Sequence, residues 1–297
     1  MKKIVILGAS SNVGYQFSKD YSSIYELTLV SRSKIDDFDG DLHVLSLEMD
    51  SISALLDIVE PDYVVNCIAM GNVDECEISK VTAFDVNVHF VRSLVDVCNK
   101  LPACTLIHFS SNAIYSGKNP RYSETSLANP INYYGICKNQ ADIHVREKSN
   151  NYAILRPISI YGQRASFQRN NPINWLLDEL IADKPLTLVD DVYTNMLFVE
   201  DVSNALHQVI NNGSKGDFNL SSNARYSLYE IGIIAADMLG KNKSTIKRID
   251  SKFFELNGMA DRPKDTCFDN SKARLDLGVS FTEIGDGLSK LLDYKRG

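Results

Sequence analysis

An α/β fold organised on a doubly wound parallel sheet is predicted by three features of this 297-residue chain. The apolar run Ile4-Val5-Ile6-Leu7 meets Gly8, and Gly14 follows six residues later at the start of a helical stretch. That is the layout of a buried strand turning into a helix N-terminus, where amide N–H groups can hold a pyrophosphate. Short β-type runs and helical periodicities then alternate regularly from residue 1 to 157, as parallel strands joined by helical crossovers must. After Tyr161-Gly162 the alternation breaks. The chain is therefore divided into residues 1–163, a nucleotide-binding domain, and 164–297, a smaller α/β substrate lobe of which about 186–212 fold back on the first domain.

Each element follows in order. Residues 12–22 read as a helix and 26–31 as the second strand. A third strand is expected over 41–47, a short helix over 52–59, and a fourth strand over 61–69 that ends in small residues. Residues 74–98 read as one helix, with Val81, Phe84, Val88, Val91, Leu94 and Val95 on its apolar face and Asn87 interrupting it. The fifth strand, 105–111, ends in the hydroxyls of Ser110 and Ser111. A helix opens at Tyr133 after Asn129-Pro130, and 152–157 gives the sixth strand. Beyond it, helices are expected near 172–183, 199–212 and 227–239, separated by short strands at 186–189 and 218–220, with an amphipathic tail over 281–292. The sum is a Rossmann-type doubly wound sheet with an appended α/β lobe.

Composition narrows the function. With 44% hydrophobic and 23% charged residues the chain can bury a real core. A net charge of -7 excludes a nucleic-acid-binding surface, which needs clustered Lys and Arg. No apolar run reaches the length of a membrane helix. Strand-like residues and no cleavage site follow the first two lysines, so no signal peptide is expected and the location is expected to be cytoplasmic. The six cysteines lack CxxC spacing and read as reduced buried thiols, with no metal site.

Three groups of residues carry chemistry. At the end of the second strand stand Ser31-Arg32-Ser33, where a guanidinium flanked by hydroxyls suits the 2′-phosphate of NADP(H) better than the ribose of NAD(H). Ser110 and Ser111 end the fifth strand. Tyr134 and Lys138, four apart, share one face of a helix. An ammonium beside a phenol stabilises phenolate and lowers a pKa that starts near about 10, making Tyr134 a proton donor and acceptor.

These segments resemble the extended short-chain dehydrogenase/reductase superfamily, and within it the dTDP-4-dehydrorhamnose reductases. The likeness runs nearly end to end. Gly8-Ala9-Ser10-Ser11-Asn12-Val13-Gly14 looks like the cofactor loop, with Ser11 where a glycine is usual. Pro61-Asp62 through Asn66-Cys67-Ile68-Ala69 to Val73-Asp74-Glu75-Cys76-Glu77 is similar to P-D-x-V-x-N-x-A-A-x-x-x-V-D-x-x-E. His108-Phe109-Ser110-Ser111-Asn112-Ala113-Ile114-Tyr115-Ser116-Gly117 resembles S-T-D-Y-V-F-D-G, with Asn112 replacing its Asp. Tyr134 and Lys138 match the catalytic pair, and Arg262-Pro263 through Asp269-Asn270-Ser271-Lys272 resembles the tail R-P-x-x-S-x-L-D-x-S-K.

The resemblance implies NADPH-dependent reduction of a 4-keto-6-deoxy sugar nucleotide, with Ser111, Tyr134 and Lys138 catalytic. Cofactor contacts are implied from Gly8, Ser10, Ser11, Asn12, Val13 and Gly14, from Ser31 and Arg32, from Ile68, Ala69 and Met70, and from Asn87 and Ser110, besides Tyr134 and Lys138. Substrate contacts are expected from Val73, Asp74, Ser111, Asn112, Tyr134, Trp175, Asn195 and Arg262. A homodimer is compatible with the resemblance. Sugar-nucleotide 4,6-dehydratases carry an Asp-Glu pair where this chain has Asn112-Ala113, which argues against elimination. An NAD-dependent 4-epimerase, needing only the Ser-Tyr-Lys set, and a non-catalytic NADP-binding regulatory subunit are the competing readings.

Overall fold

The computed structural model describes residues 1–35, 41–46 and 48–296. The chain enters through β1 (Lys3–Leu7), α1 (Asn12–Tyr21), β2 (Glu26–Ser31), β3 (Asp41–Val44) and α2 (Met49–Val59). After β4 (Tyr63–Asn66) come α3 (Val73–Ile78), α4 (Lys80–Phe84), a π-helical turn (Asp85–His89) and α5 (Phe90–Cys98). β5 (Thr105–Phe109), a single 3-10 turn (Asn112–Ile114), α6 (Tyr133–Lys148) and β6 (Tyr152–Pro157) follow. Then come β7 (Ile160–Tyr161), α7 (Pro172–Ile181), β8 (Leu186–Val189), β9 (Tyr193–Thr194), β10 (Leu197–Phe198), α8 (Val199–Asn212) and β11 (Gly216–Leu220). The last elements are β12 (Tyr226–Ser227), α9 (Leu228–Leu239), β13 (Ile246–Ile249), α10 (Lys252–Leu256), α11 (Ser271–Leu277) and α12 (Ile284–Arg296).

The main sheet has seven strands in the order β11-β6-β5-β4-β1-β2-β3, and every pairing in it is parallel. Winding starts at β1, runs outward through β2 and β3, then resumes at β4 on the other side. The reversal between β1 and β4 splays the two flanking connections apart and leaves a crevice at the strand C-termini. Apolar side chains pack both faces: Ile4, Ile6 and Phe17 belong to one cluster, Val5, Leu7 and Leu94 to the other. Strands covered on both faces read as unbroken apolar runs, which is why Ile4 to Leu7 shows no alternation. A third cluster, including Ile173, Leu188 and Ile231, forms the core of the second lobe. No helix among the described residues is long and apolar enough to cross a membrane.

Three expectations are corrected. The strand at 218–220 is not a piece of the second lobe: as β11 it pairs with β6 and becomes the seventh strand of the main sheet, with α8 packed on α1 before it. The expected helix over 74–98 is broken into α3, α4, the π turn and α5. The wider turn shifts the buried face, so Val81 is exposed while Ala83, Asn87 and Val88 are buried. The third strand ends at Val44, and Leu47, expected in it, lies outside the described residues.

The sheet also contains a buried charge. Arg156 on β6 is fully buried; its Nε donates to Asp142 Oδ2 on α6 at 2.9 Å, and its terminal nitrogen donates to Asp217 on β11. Burial works against the guanidinium charge, but Asp142 and Asp217 outweigh it and raise the arginine pKa. Removing one partner of such a pair leaves uncompensated charge in the interior. Arg156→Leu is therefore expected to lower unfolding free energy by about 3–5 kcal/mol in urea titration.

Candidate active site

The crevice is lined first by the loop after β1. Gly8 has φ +84°, a region that suits glycine, and the amides of Gly8 and Ala9 both donate to Val30 O at 3.0 Å. Ser11 N–H donates to Gly8 O at 2.9 Å, which closes the turn. Ser11 has an extended backbone and its Oγ accepts from Gly14 N at 3.0 Å, so the serine at the usual glycine position is the N-cap of α1. Gly14 sits beneath the loop and does not line the crevice; a Cβ there would lie 2.8 Å from Gly8 O.

The cavity has a volume of about 1130 Å³. Ser10, Ser11, Asn12 and Val13 form one wall, Ser31 and Arg32 close its far end, and Ile68, Ala69 and Met70 form the opposite wall. Arg32 is exposed there. Asn87 does not reach the cavity. It is buried on the π turn, where its Oδ1 accepts from Met70 N at 3.0 Å and its Nδ2 donates to Met70 O at 3.2 Å. It positions this wall of the cavity through the backbone.

Ser110, Ser111, Tyr134 and Lys138 meet on the cavity floor. Ser111 caps the short 3-10 turn, its Oγ accepting from Ala113 N at 3.1 Å. Asn132 caps α6: its Oδ1 accepts from Gly135 N at 2.9 Å and its Nδ2 donates to Asp261 O at 2.9 Å. These two caps fix Tyr134 beside Ser111. Lys138 is 1% exposed, and its Nζ donates to Phe109 O at 2.5 Å. Burial lowers the lysine pKa to about 8, against the pull of the Asp142 carboxylate.

The expected depression of the tyrosine pKa is not what the site shows. Tyr134 opens partly to the cleft but lies deep among protein atoms. Burial pushes its phenol up to about 12, and only a hydrogen bond with Ser111 works in the other direction. Lys138 is turned toward the Phe109 carbonyl.

Three expected substrate contacts, Asp74, Asn195 and Trp175, lie outside the cavity lining. Asp74 is ion-paired to Arg262 at 2.7 Å and accepts from Ala260 N at 2.8 Å. Arg262 does line the cavity, whereas Asp74 does not. Asn195 is 2% exposed; its Nδ2 donates to Ser221 Oγ, Ser222 O and Phe268 O, and its Oδ1 accepts from Phe268 N. Its hydrogen-bonding capacity is used up in joining three loops. Trp175 is 39% exposed on α7 and lies outside the cavity lining. Val73 and Asn112 do line it, and Asn112 Nδ2 donates to Thr266 Oγ1 at 2.7 Å. The residue that replaces the usual acid thus ties the segment after β5 to the C-terminal segment.

Two contributors carried no sequence signal. Gln168 Nε2 donates to Ser10 O at 3.2 Å and Ser11 O at 3.1 Å, and Phe167 meets the Tyr15 ring edge-on at 5.4 Å. The loop between β7 and α7 is thereby strapped across the glycine turn. A third, His108, was visible as a lone histidine inside the apolar run Leu106-Ile107-His108-Phe109.

A family model described as the RmlD substrate binding domain matches residues 1–296. The chain belongs to this family. It is 27% identical over 259 residues to "Probable low-salt glycan biosynthesis reductase Agl14" of Haloferax volcanii, covering 86% of this chain and 85% of that one. It is 25% identical over 287 residues to "Methionine adenosyltransferase 2 subunit beta" of Rattus norvegicus, covering 94% and 83%. The solved dTDP-4-dehydrorhamnose reductase of Bacillus anthracis, in complex with NADP, superposes with a TM-score of 0.85 at 20% identity over 99% of each chain. That likeness shows the fold.

The Ser11 cap has a measurable consequence. Ser11→Ala is expected to cost about 1 kcal/mol of stability, and Ser11→Gly a few tenths, in denaturant titrations.

Proposed function

We propose that this protein uses NADPH to reduce the carbonyl of a 4-keto-6-deoxy sugar nucleotide. The observation that carries the reading is the meeting of Ser111, Tyr134 and Lys138 on the floor of the same cavity whose walls are the glycine turn and Arg32. The cavity suits a dinucleotide. Ser110 Oγ is buried with no hydrogen-bond partner among the described residues, a polar atom placed to meet one. Ser10 to Val13 would hold the pyrophosphate, Arg32 the 2′-phosphate, and Lys138 the nicotinamide ribose. When bound, the cofactor supplies hydride.

The chain's own residues handle the oxygen. Negative charge develops there as the carbonyl is reduced, and the Ser111 hydroxyl would donate to it. Tyr134 would pass it a proton. A reduction needs the phenol protonated at the outset, and burial, which raises the Tyr134 pKa, favours that form. Arg169, 3.6 Å from Glu75, and Arg262, paired with Asp74, line the cavity and present guanidinium groups that suit a diphosphate.

The likeness to a methionine adenosyltransferase subunit favours a second reading, a binding module that holds NADP without turnover. The complete Ser-Tyr-Lys set weighs against it. Purified protein mixed with NADPH and a panel of 4-keto-6-deoxy sugar nucleotides should consume NADPH; binding of NADPH with no turnover on any of them would favour the module.

Two further outcomes are expected. Tyr134→Phe should abolish most turnover, followed by nicotinamide absorbance, while NADPH affinity stays within about threefold because the ring is kept. Lys138 is an ammonium below its pKa of about 8 and loses its charge above it. The value of kcat/KM for NADPH, which reports the free enzyme, should therefore fall on the alkaline side with a midpoint near that pH.

A further inference from the structure

Lys138 and Asp142 are four apart on α6, the spacing at which a lysine and an aspartate ordinarily pair along a helix. Both are buried, which makes the attraction stronger still. Yet among the described residues no direct ion pair joins them. The ring of His108, from the neighbouring strand β5, stands between: its Nε2 is 3.4 Å from Lys138 Nζ and 4.0 Å from Asp142 Oδ1. Asp142 Oδ1 has no hydrogen-bond partner, although Oδ2 is held by Arg156.

The tautomer of that ring follows from its other side. Asn66 Oδ1 accepts from Ile68 N at 3.1 Å, which fixes the amide orientation. Its Nδ2 is therefore the atom facing His108 Nδ1 at 3.2 Å, and Nδ1 must accept. In a neutral ring the proton then sits on Nε2. Burial and the nearby Lys138 and Arg156 charges keep the ring neutral, holding its pKa well below the usual histidine range. An Nε2–H cannot accept from an ammonium, and the lysine donates to Phe109 O.

We propose that His108 is a positioning residue: locked as the Nε2–H tautomer by Asn66, it is a wedge that keeps Lys138 from pairing with Asp142 and directs it to the cavity floor. The groups facing this cluster are Asn66 and Cys67 from β4 and its end, Cys137, Lys138 and Asp142 from α6, and Arg156 from β6. Without the wedge, the lysine collapses down its own helix onto the carboxylate, which withdraws it from the cavity floor and the ribose it would hold there, and raises the lysine pKa. The inference rests on Lys138 serving the cofactor ribose as proposed above.

The wild-type protein gives the first test. With ring-15N histidine, long-range 1H–15N correlations should show His108 as the Nε2–H tautomer without titration across neutral pH. An Nδ1–H tautomer, or protonation in that range, overturns the wedge.

Variants give the second test. His108→Ala should lower kcat by about 100-fold, the scale of a displacement of about 1 Å in a reacting group. Its alkaline limb should move to higher pH as the Asp142 carboxylate stabilises the ammonium. Asp142→Asn removes that attraction, so His108→Ala/Asp142→Asn should recover at least about tenfold of the loss. A double variant as slow as or slower than the single, with both folded by circular dichroism, would mean that the histidine merely fills space. Failure of the catalytic reading is separately visible: Tyr134→Phe would then retain full turnover while the tautomer measurement stands unchanged.

Discussion

Everything at the floor of the cavity depends on keeping a lysine in the protein interior without letting it find a carboxylate. Lys138 has nearly no exposed surface, and burial disfavours its charge. A direct pair with Asp142 would relieve that cost and leave the amine unavailable. Instead, Asp142 is held by Arg156, Arg156 is balanced by Asp217 on the added edge strand β11, and His108 separates the lysine from the nearest carboxylate. The charges run from the cavity floor through the sheet to an edge strand that the chain adds only after an excursion into the second lobe.

The rest of the site is held by ordinary hydrogen bonds at element ends. Ser11, Ser111 and Asn132 each satisfy an amide in the first turn of a helix or 3-10 segment, and each sits beside the cavity. Capping and site-building are thus the same act: the residue that stops an amide from being orphaned also sets where the next side chain points. Asn87 does similar work on the opposite wall, where the π turn rotates it onto the Met70 backbone. Gln168 joins the lobes by bonding the two carbonyls of the glycine turn.

Much of this was legible in the chain. The glycine turn, Arg32, the hydroxyl pair and the Tyr134–Lys138 spacing are local patterns, and the structure gathers Ser10 to Val13, Arg32, Ser111, Tyr134 and Lys138 into one cavity. Residues expected to touch substrate fared less well. Asn195 and Asp74 stand in segments that look right, but each is engaged by groups far away in sequence, Phe268 and Arg262 among them. The single helix expected over 74–98 was broken by a π turn that periodicity does not register.

The sequence alone determined the sheet's first six strands and the residue types that meet in the cavity. Strand, turn and helix-face patterns are set by neighbours a few residues apart, and those neighbours are printed in order. Only the tertiary structure decided that β11 closes the sheet and that Asn195 is a brace. It alone decided that burial raises the Tyr134 pKa and that His108 lies between Lys138 and Asp142. Each of those outcomes turns on which polar group wins a given partner once water is excluded, and that competition takes place between residues whose separation in the chain carries no information about their distance in space.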